Sequence, residues 1–431
     1  MRPSSYGVTA RTAGVTVDPP AAVASFPADE RDALVSTALD LVGCDTQNPP
    51  GETTAAAEYV AETVRDWGLE PELFAVDPAK PNVLFEVPGE RDATLLFEGH
   101  LDTVPFDADA WTHDPLGERD GDRVYGRGAT DMKGAVAAML LAARAHVETD
   151  TTPPVSLQFA FVSDEETAGD AGLSALLADR EFDADACVIG ETTCERGRHS
   201  VTVADKGSIW LTLTARGEAA HGSRPMLGAN AIDRLYEAVE TLRERFGRRP
   251  LDVPDALDSV VAESVEYYAP TLGEDAARDL FGYPTVNLGT LSGGEAVNAV
   301  PASATAELDI RLTAGVDTRA VLADVRECVR GCEGVSVADA SWSVGTYEPI
   351  DSPLVEAVTG VASDVSGERV YRRSATGGGD AKSLRNAGVP TVEFGFGTDT
   401  AHAADEYTTA TALAWNAAVY TRLPYALAPD L

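Results

Sequence analysis

Lysine is nearly missing from this chain: its 431 residues contain four, Lys80, Lys133, Lys206 and Lys382. Basic residues total 33 against 70 Asp and Glu, a formal charge of −37. A surface of that sign repels phosphate backbones and anionic bilayers, which excludes nucleic acid and membrane as partners. The acids run the whole length of the chain rather than forming a tail, which suits a solvated coat adapted to high salt. The five cysteines, Cys44, Cys187, Cys194, Cys328 and Cys332, are odd in number and contain no CxxC pair, which argues for a reducing compartment. No apolar run approaches membrane-spanning length. The first 27 residues carry Pro3, Pro19, Pro20 and Pro27 but no apolar segment of a secretory signal, so 1–28 reads as a loose extension. A soluble cytoplasmic protein is expected. There is no GxxxxGK[ST] phosphate loop, "GRGATD" lacks a third glycine at the dinucleotide spacing, and no GxSxG elbow occurs.

What is present is alternation. "DERDALVSTALDLVG" begins acidic, repeats apolar residues on one face and stops at Gly43, which predicts a helix. Strands are predicted at 93–99, 155–163 and 186–191, with helices at 132–148 and 171–178 between them. Continuous apolar strands separated by helices predict an α/β fold with a mostly parallel sheet covered by helices on both faces. After Lys206 the pattern changes to a long alternating strand, a helix near 229–246, an irregular acidic stretch at 250–284, strands at 285–291 and 303–313, and a helix at 317–331. This predicts an inserted α+β domain at 207–335, inside a first domain formed by 29–206 and 336–431.

Ligand sites in such sheets collect past the carboxyl ends of the strands, and chemistry-bearing residues sit there. In "LLFEGHLDTVP" residues two apart face the same way, so His100 and Asp102 project into one crevice. "VYGRGATDMKG" places Asp131 in a glycine-rich turn before a helix. "FVSDEETAG" ends a strand in Asp164, Glu165 and Glu166, "VIGETT" ends another in Glu191, and "TDTAHAADEY" places His402 in a late loop. Two imidazoles with several carboxylates form an N/O donor set suited to zinc, cobalt or manganese, without the thiolates of a structural zinc site. A solvated acidic turn explains the Asp164–Glu166 triplet alone, but not its company.

The motifs "GHLDTVP", "GRGATDMKG", "DEET", "GETT", "AAHGSRP" and "NAVPASATAELDIR", in this order over residues 29 to 430, resemble the M20 metallopeptidases, which include ArgE/DapE-type deacylases, aminoacylases and glutamate-releasing carboxypeptidases. The resemblance implies two divalent metal ions, zinc foremost with cobalt or manganese as alternatives. His100 and Glu191 would hold one, Glu166 and His402 the other, and Asp131 would bridge both. It further implies that Asp102 orients His100, that Glu165 is the general base, and that the peptide after Asp131 is cis. His221 would stabilise the oxyanion from a partner subunit, with the inserted domain serving as lid and dimerisation domain of a homodimer. Asn298 and Arg311 would contact substrate, an arginine fork being suited to a carboxylate. His221 also reads as a surface residue capping the next helix, and Arg311 as an exposed strand charge. His113, His146 and His199 lack such surroundings.

The chemistry follows from the residue types as well. Two cations about 3.5–4 Å apart lower the pKa of a shared water and polarise a carbonyl, and a carboxylate that does not ligate, such as Glu165, relays the proton to the leaving amine. Two departures stand out. Thr192 replaces the proline usual after the ligand glutamate, and Gly377-Gly378-Gly379-Asp380 replaces Gly-Gly-Thr-Asp, leaving Gly378 to offer main-chain N–H groups in an anion-binding nest. The expected activity is deacylation of N-acyl amino acids by metal-activated water. The alternatives are an aminoacylase or a di- or carboxypeptidase of short peptides, or a binding protein without turnover.

Overall fold

A computed structural model describes residues 18–431, and it divides into two compact units. Among these residues the first comprises 18–199, 356–369 and 394–431; the second comprises 200–355 and 370–393.

The sheet of the first unit is built around the strand Thr94–His100, buried along almost its whole length. It pairs in parallel with Ser156–Val162 on one side and Ala186–Ile189 on the other. Antiparallel strands Asn82–Val87 and Glu72–Phe74 extend this parallel centre toward one edge. The helix Lys133–Glu148 packs on the sheet, with 13 of its 16 residues buried. Gly99 and Gly190 permit its close approach: a Cβ on either would come within 2.5 and 2.8 Å of the Met132 Cε. The strands carrying His100 and Glu191 are thereby brought against the turn that carries Asp131. Among the described residues, no helix is long and apolar enough to cross a membrane.

Residues 1–17 of the expected N-terminal extension lie outside the described residues. The rest of it is not loose, because Ala21–Asp29 is a helix that buries Val23 and Pro27 and packs against the helix Ala410–Leu427. Pro19 and Pro20 just before it and Pro27 within it hide it in the sequence.

In the second unit four strands form an antiparallel sheet in the order Thr285–Gly293, Ser303–Leu312, Gly207–Arg216, Val335–Ser343. Its alternating inward residues, among them Ile209, Leu211, Leu213, Leu308 and Ile310, pack with Leu235, Val239 and Leu242 of the helix Ala231–Phe246 and with Leu322 and Val325 of the helix Thr318–Arg330. The fourth strand runs beyond residue 335. The stretch at 250–284 is helical rather than irregular: Asp258–Leu272 buries Val260, Ser264 and Tyr267 at helical spacing, and Glu274–Gly282 follows. Gly273, at φ 86°, breaks the two apart, and Pro270 disguises the periodicity.

Candidate metal centre

Each strand of the parallel centre ends at a candidate ligand. His100 closes its own strand, Glu165 and Glu166 follow Ser156–Val162, and Glu191 follows Ala186–Ile189. His100 is buried, and its Nδ1 lies 2.9 Å from the main-chain oxygen of Asp102, which fixes the ring and leaves Nε2 facing the site. Nε2 is 3.2 Å from Asp131 Oδ1 and 3.3 Å from Glu191 Oε1. The other oxygen of the same carboxylate, Asp131 Oδ2, lies 3.1 Å from His402 Nε2, which is 3.2 Å from Glu166 Oε2. Asp131 thus stands between two His–Glu pairs, one oxygen toward each. The Asp131–Met132 peptide is cis.

Asp102 orients His100 through its carbonyl; its carboxylate stands back at 3.8 Å. That carboxylate has another task. It accepts the main-chain N–H groups of Glu165 and Glu166, both at 3.2 Å, and an Asn48 Nδ2 donor at 2.8 Å. The turn carrying Glu165 and Glu166 is therefore pinned to the strand end that carries His100. Asp164, at φ 66°, turns away from the two glutamates and accepts from Asn48 and Lys80.

Burial opposes protonation of His100, but Asp131 and Glu191 overcome it and hold the imidazole well above its ordinary value. Hydrogen bonds that Asp131 and Glu166 accept from its ring raise His402 to about 10. Burial works against the Asp131 anion, yet the two imidazoles hold its carboxyl well below the usual range. So strong a pull on positive charge suits a cation.

The donor chemistry fits divalent ions. His100, Asp131 and Glu166 present ligand atoms within 4.8 Å of one another, as do His100, Glu165 and Glu191. Glu166 Oε1 is buried without a hydrogen-bond partner among the described residues, a state a cation would relieve. His402, also in the left-handed region at φ 63°, is half exposed.

Two supporting residues escaped the sequence reading. Glu406 is fully buried; its Oε1 accepts the N–H groups of Gly128, Thr130 and Asp131 at 3.0, 3.0 and 3.1 Å, and its Oε2 pairs with Arg127. Burial and the nearby Asp131 push its carboxyl up to about 7. Its place in "HAADEY", four residues after His402, was the available signal. Asn48, in "QNPP", carried none, because its role depends on three segments meeting.

His221, Asn298, Arg311 and Gly378 belong to the second unit. His221 bridges to Ala299, and Gly222 donates to the Asn298 carbonyl at 2.6 Å, so two of the four are neighbours. His221 Nδ1 lies 2.8 Å from Ser223 Oγ and 3.2 Å from the Ser223 N–H. Arg311 Nε donates to both oxygens of Asp309, at 2.8 and 3.0 Å, so part of the expected fork is already engaged. Gly377, Gly378 and Gly379 all lack a positive φ, so the alternating handedness of a nest is not formed; they lead into the helix Asp380–Ala387.

Comparison with known proteins agrees with this geometry. Residues 96–426 match the model of peptidase family M20/M25/M40. A succinyl-diaminopimelate desuccinylase of Rhodospirillum centenum is 30% identical over 389 residues, covering 86% of this chain and 91% of that one. A probable succinyl-diaminopimelate desuccinylase of Staphylococcus epidermidis is 28% identical over 380 residues, covering 85% and 91%. Among solved structures, an M20 family metallo-carboxypeptidase of Sulfolobus solfataricus superposes with a TM-score of 0.75 at 22% identity, covering 92% of this chain and 99% of that one. The chain belongs to peptidase family M20/M25/M40 and is a hydrolase of amide bonds.

Proposed function

We propose that this protein removes the acyl group from N-acyl amino acids as an ArgE/DapE-type deacylase, using two divalent ions, zinc foremost and cobalt or manganese in its place. The observation that carries the reading is the sharing of Asp131 between the His100–Glu191 and His402–Glu166 pairs. The desuccinylase relatives support the choice of an N-acyl amino acid over a longer peptide.

His100, Asp131 and Glu191 would hold one ion, and His402, Asp131 and Glu166 the other. When bound, such a pair supplies a Lewis acid for the scissile carbonyl and lowers the pKa of the attacking water. The remaining work falls to the protein. Glu165, tied to Asp102 by its main chain and grouped with His100 and Glu191, takes the water proton and returns it to the leaving nitrogen. His221 stabilises the oxyanion from the partner subunit of a homodimer. Asn298 and Arg311 position the substrate. The second unit, centred on 207–335, serves as lid and dimerisation domain. The acidic, lysine-poor surface suits a cytoplasm of high salt.

The test is a hydrolysis screen of N-acetyl, N-succinyl and N-carbamoyl amino acids with dipeptides beside them, in high salt, after chelation and return of zinc, cobalt or manganese. Release of a free amino acid from one N-acyl class, dependent on the returned ion, is expected. No turnover of any substrate with any ion would overturn the proposal, and turnover of dipeptides alone would reassign it to a dipeptidase.

A further inference from the structure

Thr192 occupies the position after the candidate ligand Glu191 where the family resemblance leads one to expect proline. Its hydroxyl donates to the main-chain oxygen of Thr130, the residue before Asp131. A hydroxyl has one proton, so the adjacent contact between Thr130 Oγ1 and Thr192 Oγ1, at 3.2 Å, has Thr130 as its donor. Thr130 Oγ1 in turn accepts the N–H of Thr398 at 3.0 Å. Every proton in this relay has one destination.

The relay joins three ligand-bearing segments. Thr130 precedes Asp131, Thr192 follows Glu191, and Thr398 opens the loop that leads to His402. Around it the Glu191 segment runs beside the 394–397 segment, Thr193 donating its N–H to Gly395 at 3.1 Å. Thr398 Oγ1 continues to Thr400 Oγ1 at 2.6 Å, and Thr400 Oγ1 accepts the N–H of Tyr407 at 3.1 Å, which closes the His402 loop on itself. Glycine at 397 leaves the relay its room, since a Cβ would stand 2.4 Å from Thr130 Oγ1 and 2.8 Å from Thr192 Oγ1 and push them apart.

We propose that Thr192 is a positioning residue whose hydroxyl, through Thr130 and Thr398, sets the spacing between the His100–Glu191 and His402–Glu166 cation sites. A proline at 192 would fix the backbone locally but has no hydroxyl with which to reach Thr130. This chain therefore couples its two sites through a side-chain relay. The inference rests on the two-ion reading.

The test is titration of the metal-free full-length protein with cobalt, followed by calorimetry and by the visible absorption of the bound ion, in high salt. Wild type is expected to take up two ions. Thr192→Val, which keeps the shape and removes the hydroxyl, is expected to weaken uptake of one of them by about 10-fold or more and to change its absorption band, while Thr192→Ser restores both. Gly397→Ala, which wedges a methyl into the relay without deleting a polar group, is expected to act like Thr192→Val and carries the test if that variant does not fold. A wild type that binds no pair of ions overturns the two-ion reading and this inference together. A wild type that binds the pair, with both Thr192→Val and Gly397→Ala matching its affinities and spectrum, overturns the positioning role alone.

Discussion

Glu406 accepts the main-chain N–H of Asp131 at 3.1 Å, across 275 residues of sequence. One buried oxygen collects this donor and two more from the same turn, and the second oxygen neutralises Arg127. The turn that carries the shared carboxylate is therefore anchored from the far end of the chain. Glu406→Gln would set amide protons against the Arg127 guanidinium and strand a buried charge, a change that costs about 3–5 kcal/mol. Urea unfolding should show that loss, and metal affinity should fall by about 10–100-fold. Unchanged midpoints in both titrations would refute the anchoring role.

Glu165→Gln separates catalysis from metal holding. The amide is isosteric but takes no proton, so hydrolysis should fall by about 10²–10⁴-fold. The number of bound ions, measured by atomic emission on dialysed protein, should remain two. Loss of the ions along with activity would assign Glu165 to the ligand set instead.

Lys206 gives a pH-dependent stability with a definite sign. It is fully buried, with Leu280 O as hydrogen-bond acceptor and the Phe281 ring beneath it. Burial, with Arg311 nearby, pushes its amine down to about 8 from 10.5. Between those values the unfolded chain holds more protons, so stability should rise with pH across this window and level off above it. The gain is on the order of 3 kcal/mol. Relative to wild type, Lys206→Met should lack this rise when unfolding is followed from pH 7 to 10.5. Parallel curves for the two proteins would contradict the assignment.

Salt should stabilise the fold strongly. Lys133 and Lys206 are fully buried, and the side chains of Lys80 and Lys382 are only 16% and 14% exposed, so surface positive charge comes almost wholly from arginine. The carboxylate excess is left to repel itself. Screening shortens from about 10 Å at 0.1 M to about 3 Å at 1 M. At about 2–4 °C per kcal/mol, relief of several kcal/mol should raise the Tm by about 10 °C or more between low and molar KCl. A Tm indifferent to KCl would contradict the high-salt reading.

The parts of this protein that follow local periodicity were legible in its sequence. The strand Thr94–His100, the helix Lys133–Glu148 and the helix Ala231–Phe246 fall within two residues of their predicted spans, because apolar spacing encodes them directly. The Ala21–Asp29 helix and the helices of 258–282 were hidden by prolines and a glycine whose tolerance depends on position in the element. The strand Val335–Ser343 was hidden because only Val335 in it is buried and a register shift opposite Thr212 and Leu213 breaks its alternation. In the site, residue types at strand and loop ends singled out His100, Asp131, Glu166, Glu191 and His402 as candidates, and the fold brings these side chains together. Which carbonyl holds His100, what the Asp102 carboxylate does, and the roles of Asn48 and Glu406 depend on segments far apart meeting, and no spacing rule carries that information.

The proposed function depends on Asp131 being shared by two cations. Anomalous diffraction from crystals of the cobalt- or zinc-loaded protein tests it most directly, with Asp131→Ala measured beside wild type. Two peaks flanking the Asp131 carboxylate, one on the His100–Glu191 side and one on the His402–Glu166 side, with the pair lost in the variant, are the expected result. A single peak, or two peaks that persist without the Asp131 carboxylate, would contradict the account.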